Sequence, residues 1–210
     1  MVAKVLTDDT FRNYGGTDMC TFDANPETDP AAPKQYRIRR AMTVQEFVAQ
    51  VANDIGQDPR KVRLWLMVNR QNKTIRPDQP IMDLRPTVEE TFTRSAAHRD
   101  VSLRVWAEVA DELNEEGEAV WPSYQNQALG QPAKNDTILL LLKYFDSEAQ
   151  TLKGVGHVYI SKEKKVEDLT PLILKKMGWG EKLPADEKLL LWEVSQKHIY
   201  FSRYWSVIDK

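Results

Sequence analysis

One order of elements occurs twice along this chain, and that repetition constrains the fold more than any other feature. In both copies a helix with one apolar stripe is stopped by glycine and followed by a strand carrying a tryptophan. Helix-ending Gly56 answers Gly178, and Arg63-Leu-Trp65 answers Leu190-Leu-Trp192. The two offsets, 122 and 127 residues, differ by no more than a short loop. A chain of 210 residues holds one large domain or two small ones. Two modules joined by a linker is the economical reading.

The first copy opens with a short strand candidate, Val2-Ala-Lys-Val-Leu6. Residues 8–33, rich in Gly, Asp, Thr and Pro, read as a long surface connection. Tyr36-Arg-Ile-Arg39 alternates apolar and charged, as a half-buried strand does. A helix follows with a capping box, Thr43 accepting from a free helical N–H while Glu46 reaches back. Val44, Phe47, Val48, Val51 and Ile55 share one face, and Gly56 adopts the left-handed conformation cheaply at the helix end. Val62-Arg-Leu-Trp-Leu-Met-Val68 is the strongest strand of this half, with Val62, Leu64, Leu66 and Val68 on one face. Pro77, Pro80 and Pro86 interrupt regular structure, and Ile81 to Leu84 reads as a short helical turn. Val101 to Val109 alternates again as the closing strand. The order β–β–α–β–β is that of a β-grasp, whose last strand lies centrally beside the first.

Residues 113–136 read as the connection between modules. Within it, Trp121 and Tyr124 either pin the linker onto a neighbouring domain or form a recognition epitope. The second copy starts with a hairpin, Ile138 to Lys143 and Gly156 to Ile160. A helix from about Glu167 to Met177 buries Leu169, Leu172, Ile173 and Met177, with Pro171 near its first turn, where a missing N–H does least harm. Leu189 to Val194 is the matching third strand. Beyond it only Ile199-Tyr-Phe201 and Trp205-Ser-Val-Ile208 are apolar, so this copy is either a short variant or, as is favoured, cut short of its closing strand. The expected fold class is α+β: two ubiquitin-like β-grasp modules in tandem, residues 1–112 and 137–210, around a linker at 113–136.

The composition narrows the function. A hydrophobic share of 41% and a charged share of 29% are those of an ordinary globular protein. The longest apolar run, Ile138 to Leu142, is strand-sized, so no membrane is expected as a partner. No basic region followed by an apolar stretch marks the N-terminus as a secretory leader. Cys20 is the single cysteine, which excludes an internal disulfide and suits a reducing nucleus or cytoplasm. The net charge of −2 gives no general pull toward nucleic acid. Charge is nevertheless uneven: residues 34–76 hold ten bases and three acids, residues 77–136 five bases and twelve acids. Either solvated faces neutralise one another within a domain, or the first module carries a basic docking surface around Arg37, Arg39, Arg40 and Arg63.

A cysteine nucleophile needs a histidine base and an orienting Asn or Asp. Cys20 lies in a loop-like Asp18-Met-Cys-Thr21 setting, and His98, His157 and His198 belong to different elements, His157 reading as a structural strand residue. No ligand spacing suits zinc, and Gly154-Val-Gly156 is a hairpin glycine pair with no phosphate-loop lysine behind it. No catalytic residue, cofactor or metal is expected in this chain.

Five stretches carry a resemblance: Gln45-Glu-Phe-Val48, Val62-Arg-Leu-Trp-Leu-Met67, Leu140-Leu-Leu-Lys-Tyr-Phe-Asp146, Gly156-His-Val-Tyr159 and Val166-Glu-Asp-Leu-Thr-Pro-Leu-Ile173. In this order they resemble the region after the catalytic domain of the herpesvirus-associated ubiquitin-specific proteases, where an array of ubiquitin-like domains begins. The resemblance runs from Tyr36 onward, and its divergence suggests a distant, fungal member. It implies a parent cysteine-type deubiquitinase whose array binds substrates and regulators and tunes its own catalytic domain. The acidic docking surface known in the mammalian member has no match before Lys210 and is not carried over. A free-standing β-grasp adaptor with no enzyme attached is the alternative.

Alignment of Arg63-Leu64 with the similar dipeptide of ubiquitin puts Trp65 at an outward position that partners recognise, and the repeat does the same for Trp192. Each tryptophan anchors either a protein partner or the packing of module on linker. The expected partner-binding residues are therefore Trp65, Arg63, Trp192, Arg37, Arg39 and Arg40, on a monomer that works in nucleus and cytoplasm.

Overall fold

The alternating segments at the start pair as expected. Strand β1 (Val2–Leu6) runs antiparallel to β2 (Lys34–Arg37), with Ala3 opposite Tyr36 and Val2 opposite Arg37. These and all following elements come from a computed structural model that describes residues 1–70, 74–95, 101–124, 136–180, 182–183 and 189–192. Helix α2 (Val44–Asp54) starts at the expected capping box: Thr43 Oγ1 accepts from the Glu46 N–H at 3.2 Å, and Glu46 Oε2 accepts from the Thr43 N–H at 2.7 Å. Ile55 caps its end, and Gly56 follows at a φ of 68°.

After a 3-10 turn at Pro59–Lys61 come β3 (Val62–Asn69), β4 (Ile75–Pro80), helix α3 (Val88–Arg94) and β5 (Leu103–Val109). The sheet order is β2-β1-β5-β3-β4, and β1 is parallel to β5 while its other neighbours pair antiparallel. This is a mixed α+β, β-grasp-like arrangement with the last strand beside the first. Val44, Phe47, Val48, Val51 and Ala52 of α2 bury against Ala3, Val5, Tyr36, Leu64, Leu66, Leu103 and Val105 on one face of the sheet. Each such large apolar side chain withdrawn from water stabilises the fold by about 1.5–3 kcal/mol.

Two expectations in this half are overturned. Residues 8–33 are not merely a surface connection: they contain helix α1 (Asp8–Asn13), and Phe11, Met19, Cys20 and Phe22 are buried against Leu6, Trp65, Met67 and Trp106 on the second face of the sheet. The few apolar residues of that polar stretch cover a face that strands β3 and β5 make apolar on both sides. Ile81–Leu84 forms no helical turn, whereas α3 starts at Val88 on its own capping box, Thr87 with Glu90. The closing strand also begins at Leu103, since Val101 stands fully exposed.

In the second half, β6 (Thr137–Asp146) and β7 (Thr151–Ser161) form the expected antiparallel hairpin. A 3-10 turn at Val166–Asp168 leads into α4 (Leu169–Met177), which ends at Gly178 with φ 69°. Ile173 and Leu174 are its buried residues, and Leu174 was not on the expected stripe. The expected third strand does not form over Leu189–Trp192, the described part of that stretch, and the described second half holds only the two-stranded sheet β6-β7. Glu193 and Val194, Ile199–Phe201, Trp205–Ile208, Gly130, Pro132, His98 and His198 lie outside the described residues.

The hairpin lies across the second face of the large sheet, with Leu139 and Leu141 packed on the Trp65 and Trp106 cluster. Helix α1 touches β7 at Gly154, where an added β-carbon would overlap the Phe11 carbonyl. Gly154→Ala is therefore expected to lower stability by about 1–3 kcal/mol in urea melts, as overpacking does, although alanine suits a strand better than glycine.

Candidate functional site

Arg63 and Glu108 face each other across β3 and β5, at matched register. Both are buried, Arg63 at 6% and Glu108 at 1% exposure. The Arg63 Nε donates to Glu108 Oε2 at 2.5 Å, and the indole Nε1 of Trp65 donates to the same oxygen at 2.5 Å. From the hairpin, the Tyr159 hydroxyl donates to Glu108 Oε1 at 2.6 Å, and His157 Nε2 lies 3.5 Å from that oxygen. The remaining guanidinium N–H groups reach the linker and the hairpin: Nη1 donates to the Ser123 carbonyl at 2.9 Å and Nη2 to the Tyr159 hydroxyl at 3.3 Å. Sheet, hairpin and the segment around Ser123 thus meet on one ion pair.

Aromatic rings close this junction. Trp121 stacks on the guanidinium, 4.0 Å from its carbon, and Tyr124 stands edge-on to Trp65 at 5.4 Å. Trp121 and Tyr124 accordingly pin the segment that follows β5 to the sheet. Trp106 meets His157 edge-on at 4.9 Å. A groove of ≈ 490 Å³ beside the junction runs between β4 and β6, lined among others by Trp65, Arg76, Pro77 and Tyr159. His157 is structural here: it packs on Trp106 and faces a carboxylate, with Cys20 in the core cluster of that same face.

Burial alone would raise the Glu108 carboxyl. The bond from His157 and the charge and bonds of Arg63, with Tyr159, outweigh it and hold the group at about 2. The same environment pushes the Tyr159 hydroxyl upward, through burial and the neighbouring carboxylate. A second contact of hairpin and sheet face uses Lys143, whose Nζ donates to the Tyr14 carbonyl at 2.9 Å and lies 4.8 Å from the Phe11 ring centre. Burial, with Arg76 nearby, lowers that ammonium to about 8.

The expected site residues fall into three places. Trp65 and Arg63 come together at the junction, and Trp65 does lie opposite Leu64 and Leu66, but it is 3% exposed rather than free. Of the two readings of Trp65, packing rather than partner contact is the one seen, because the hairpin, Tyr124 and α1 cover the face on which it sits. Trp192 stands apart at 55% exposure. Arg37, Arg39 and Arg40 are exposed together at β2 and just after it, with Arg40 paired to Glu89 at 2.5 Å. Glu108, Ser123 and Tyr159 were not anticipated. One signal was available: Glu108 is the single acid of β5 and Arg63 the single base of β3.

Because the bound Glu108 carboxylate has a pKa below its free value of 4.5, its contribution is present above pH 4.5 and is lost as pH falls toward 2. Urea melts across that window should show the acid-sensitive loss in the parent and its absence in Glu108→Gln. At pH 7 the variant is expected to be weaker by about 3–5 kcal/mol, the cost of a buried cation left unpaired. Trp65→Ala should cost about 3–5 kcal/mol by the same measurement, and the exposed Trp192→Ala within about 0.5 kcal/mol.

Comparison with known proteins agrees with this picture. Residues 62–203 match the family model of the ICP0-binding domain of Ubiquitin-specific protease 7. Ubiquitin carboxyl-terminal hydrolase 15 of Schizosaccharomyces pombe is 29% identical over 185 residues, 86% of this chain and 15% of that protein. Ubiquitin carboxyl-terminal hydrolase 5 of the same yeast is 25% identical over 183 residues, 87% of this chain and 15% of the relative. Ubiquitin C-terminal hydrolase 13 of Arabidopsis thaliana is 26% identical over 193 residues, 90% of this chain and 16% of the relative. The chain thus spans about a sixth or less of the length of these relatives. With more than half of its residues matched, the chain belongs to the family of the ICP0-binding domain of ubiquitin-specific protease 7.

Proposed function

We propose that this chain is a non-catalytic, partner-binding and regulatory segment of a cysteine-type deubiquitinase. The family match over residues 62–203 carries the reading, because that family is named for binding a protein. The relatives are ubiquitin carboxyl-terminal hydrolases by name and many times longer, which suits a segment that serves a catalytic domain elsewhere. Cys20 supports the non-catalytic half: it is 3% exposed, and burial pushes its thiol to about 12. A thiol held protonated out of reach of solvent is no nucleophile.

The segment is built as two ubiquitin-like modules, residues 1–112 and 137–210, joined by the linker at 113–136. The order β6, β7, α4 and left-handed Gly178 repeats the order β1, β2, α2 and Gly56, which supports the second module. Its partners are substrates, regulators or the catalytic domain of the same protein, met as a monomer in the nucleus and cytoplasm. Exposed Arg37, Arg39, Arg40 and Trp192 are the residues that meet them, and Arg63 and Trp65 hold the scaffold.

Ubiquitin–fluorophore turnover tests this directly. The chain alone is expected to give background rates. Fused behind the catalytic domain of its parent, it should change turnover about fivefold or more, the lower range of a coupling between sites. Cleavage by the isolated chain, or a fusion indistinguishable from the bare catalytic domain, speaks against the reading.

A further inference from the structure

The five-stranded sheet ends in β4 on one side and β2 on the other, and the two outer edges are built in opposite ways. On β4, positions 77 and 80 are prolines and offer no N–H, while the Ile75 N–H is taken by Asp18 Oδ2 at 2.9 Å. Such an edge cannot accept another strand.

The β2 edge is open. Met1 and Ile38 exchange both backbone bonds, each at about 3 Å, so they form a hydrogen-bonded pair. In an antiparallel ladder the pairs alternate, which makes Val2 with Arg37 and Lys4 with Gln35 non-bonded pairs. The N–H and C=O groups of Gln35 and Arg37 consequently point away from β1, toward solvent. Both residues are exposed, and this edge carries no backbone bond from another described element. Cations flank it on both sides. Lys34 lies on the α2 side, where its Nζ donates to the Asp54 carbonyl at 3.0 Å. Arg37 projects from the opposite side, with Arg39 and Arg40 just beyond the strand end. Arg40 is held by Glu89, and Glu46, whose carboxyl is lowered chiefly by its bonds from Thr43, also feels the charge of Arg39.

We infer that the β2 edge receives an acidic, extended protein segment as a sixth strand, held by the backbone of Gln35 and Arg37 and by the charges of Lys34, Arg37 and Arg39. This rests on the partner-binding reading and names the class of partner for one face. Main-chain bonds supply the docking and the flanking charges select the sequence. A second copy of the chain is the wrong occupant, since pairing β2 with β2 would set the same cations against each other. The partner therefore carries Asp or Glu on both faces of its strand.

The probe is a short fluorescein-labelled peptide in which pairs of valines alternate with pairs of glutamates, so that both faces of its strand carry glutamate, titrated into the full chain and read by anisotropy and by amide hydrogen exchange. Saturable binding is expected, with new protection at the Gln35 and Arg37 amides. A peptide with lysine in place of glutamate should fail to bind. Arg37→Glu combined with Arg39→Glu should weaken binding about tenfold, as two exposed ion pairs are lost, with an unchanged melt. Peptides N-methylated on alternate residues keep the protein intact and test strand pairing itself: one methylation register should abolish binding and the other spare it. The inference is overturned by no binding, by binding that survives both registers, or by binding that protects no β2 amide. Failure here together with altered turnover in the fusion removes the β2 site alone. Failure of both measurements removes the partner-binding reading as well.

Discussion

A carboxylate taken out of water costs several kcal/mol unless its charge is matched and its lone pairs are filled, and the packing of this protein is arranged around one that is. Glu108 accepts from Arg63 and Trp65 of one strand and from Tyr159 of the hairpin, with His157 alongside. The guanidinium opposite is completed by Ser123 of the linker and capped by Trp121. No single segment of the chain could satisfy this pair. Drawing the hairpin away would strip donors from the carboxylate and expose an arginine built to be dry. The sheet and the hairpin are consequently held in one relation by electrostatics as much as by apolar contact. Lys143 adds a second point of attachment at the other end of the same face.

That arrangement moves the place where a partner can bind. In a β-grasp whose second face met solvent, Trp65 would be the natural recognition residue. Here Trp65, Met67 and Trp106 form an inner layer roofed by α1, Tyr124 and β6. What is left at the surface of the first unit is its rim, above all the basic stretch at β2. The unevenness of charge divides in the same way. Arg63 is neutralised internally by Glu108 and Arg40 by Glu89, each pairing the basic stretch with the acidic one, while Arg37 stays exposed.

Local chemistry was read from sequence where a residue acts alone or with near neighbours. The box of Thr43 and Glu46, the end at Gly56, the hairpin of β6 and β7 and the stop at Gly178 all form as expected. The box of Thr87 and Glu90 carries the same sequence signature, set close behind Pro86. Long-range features were hidden. Phe11, Met19 and Phe22 lie too sparsely in a polar stretch to show periodicity, so their burial depends on a sheet face assembled from elsewhere. Trp65 was placed on the correct side of its strand, but alternation cannot say that another unit covers that side. The junction itself, Arg63 with Glu108 and Tyr159, links positions far apart in the sequence, and only tertiary register brings them together.

The span of that junction also matters during synthesis. Glu108, in the strand that completes the sheet, and Tyr159 are 51 residues apart. At translation speeds of about 5–20 residues per second, the first sheet would emerge about 2.5 to 10 seconds before its second face could be covered by the hairpin. Through that interval Trp65, Trp106 and a half-matched ion pair stand open to water. The nascent chain thus passes through a stage in which its stickiest surface is uncovered, and chaperones have a defined window in which to hold it.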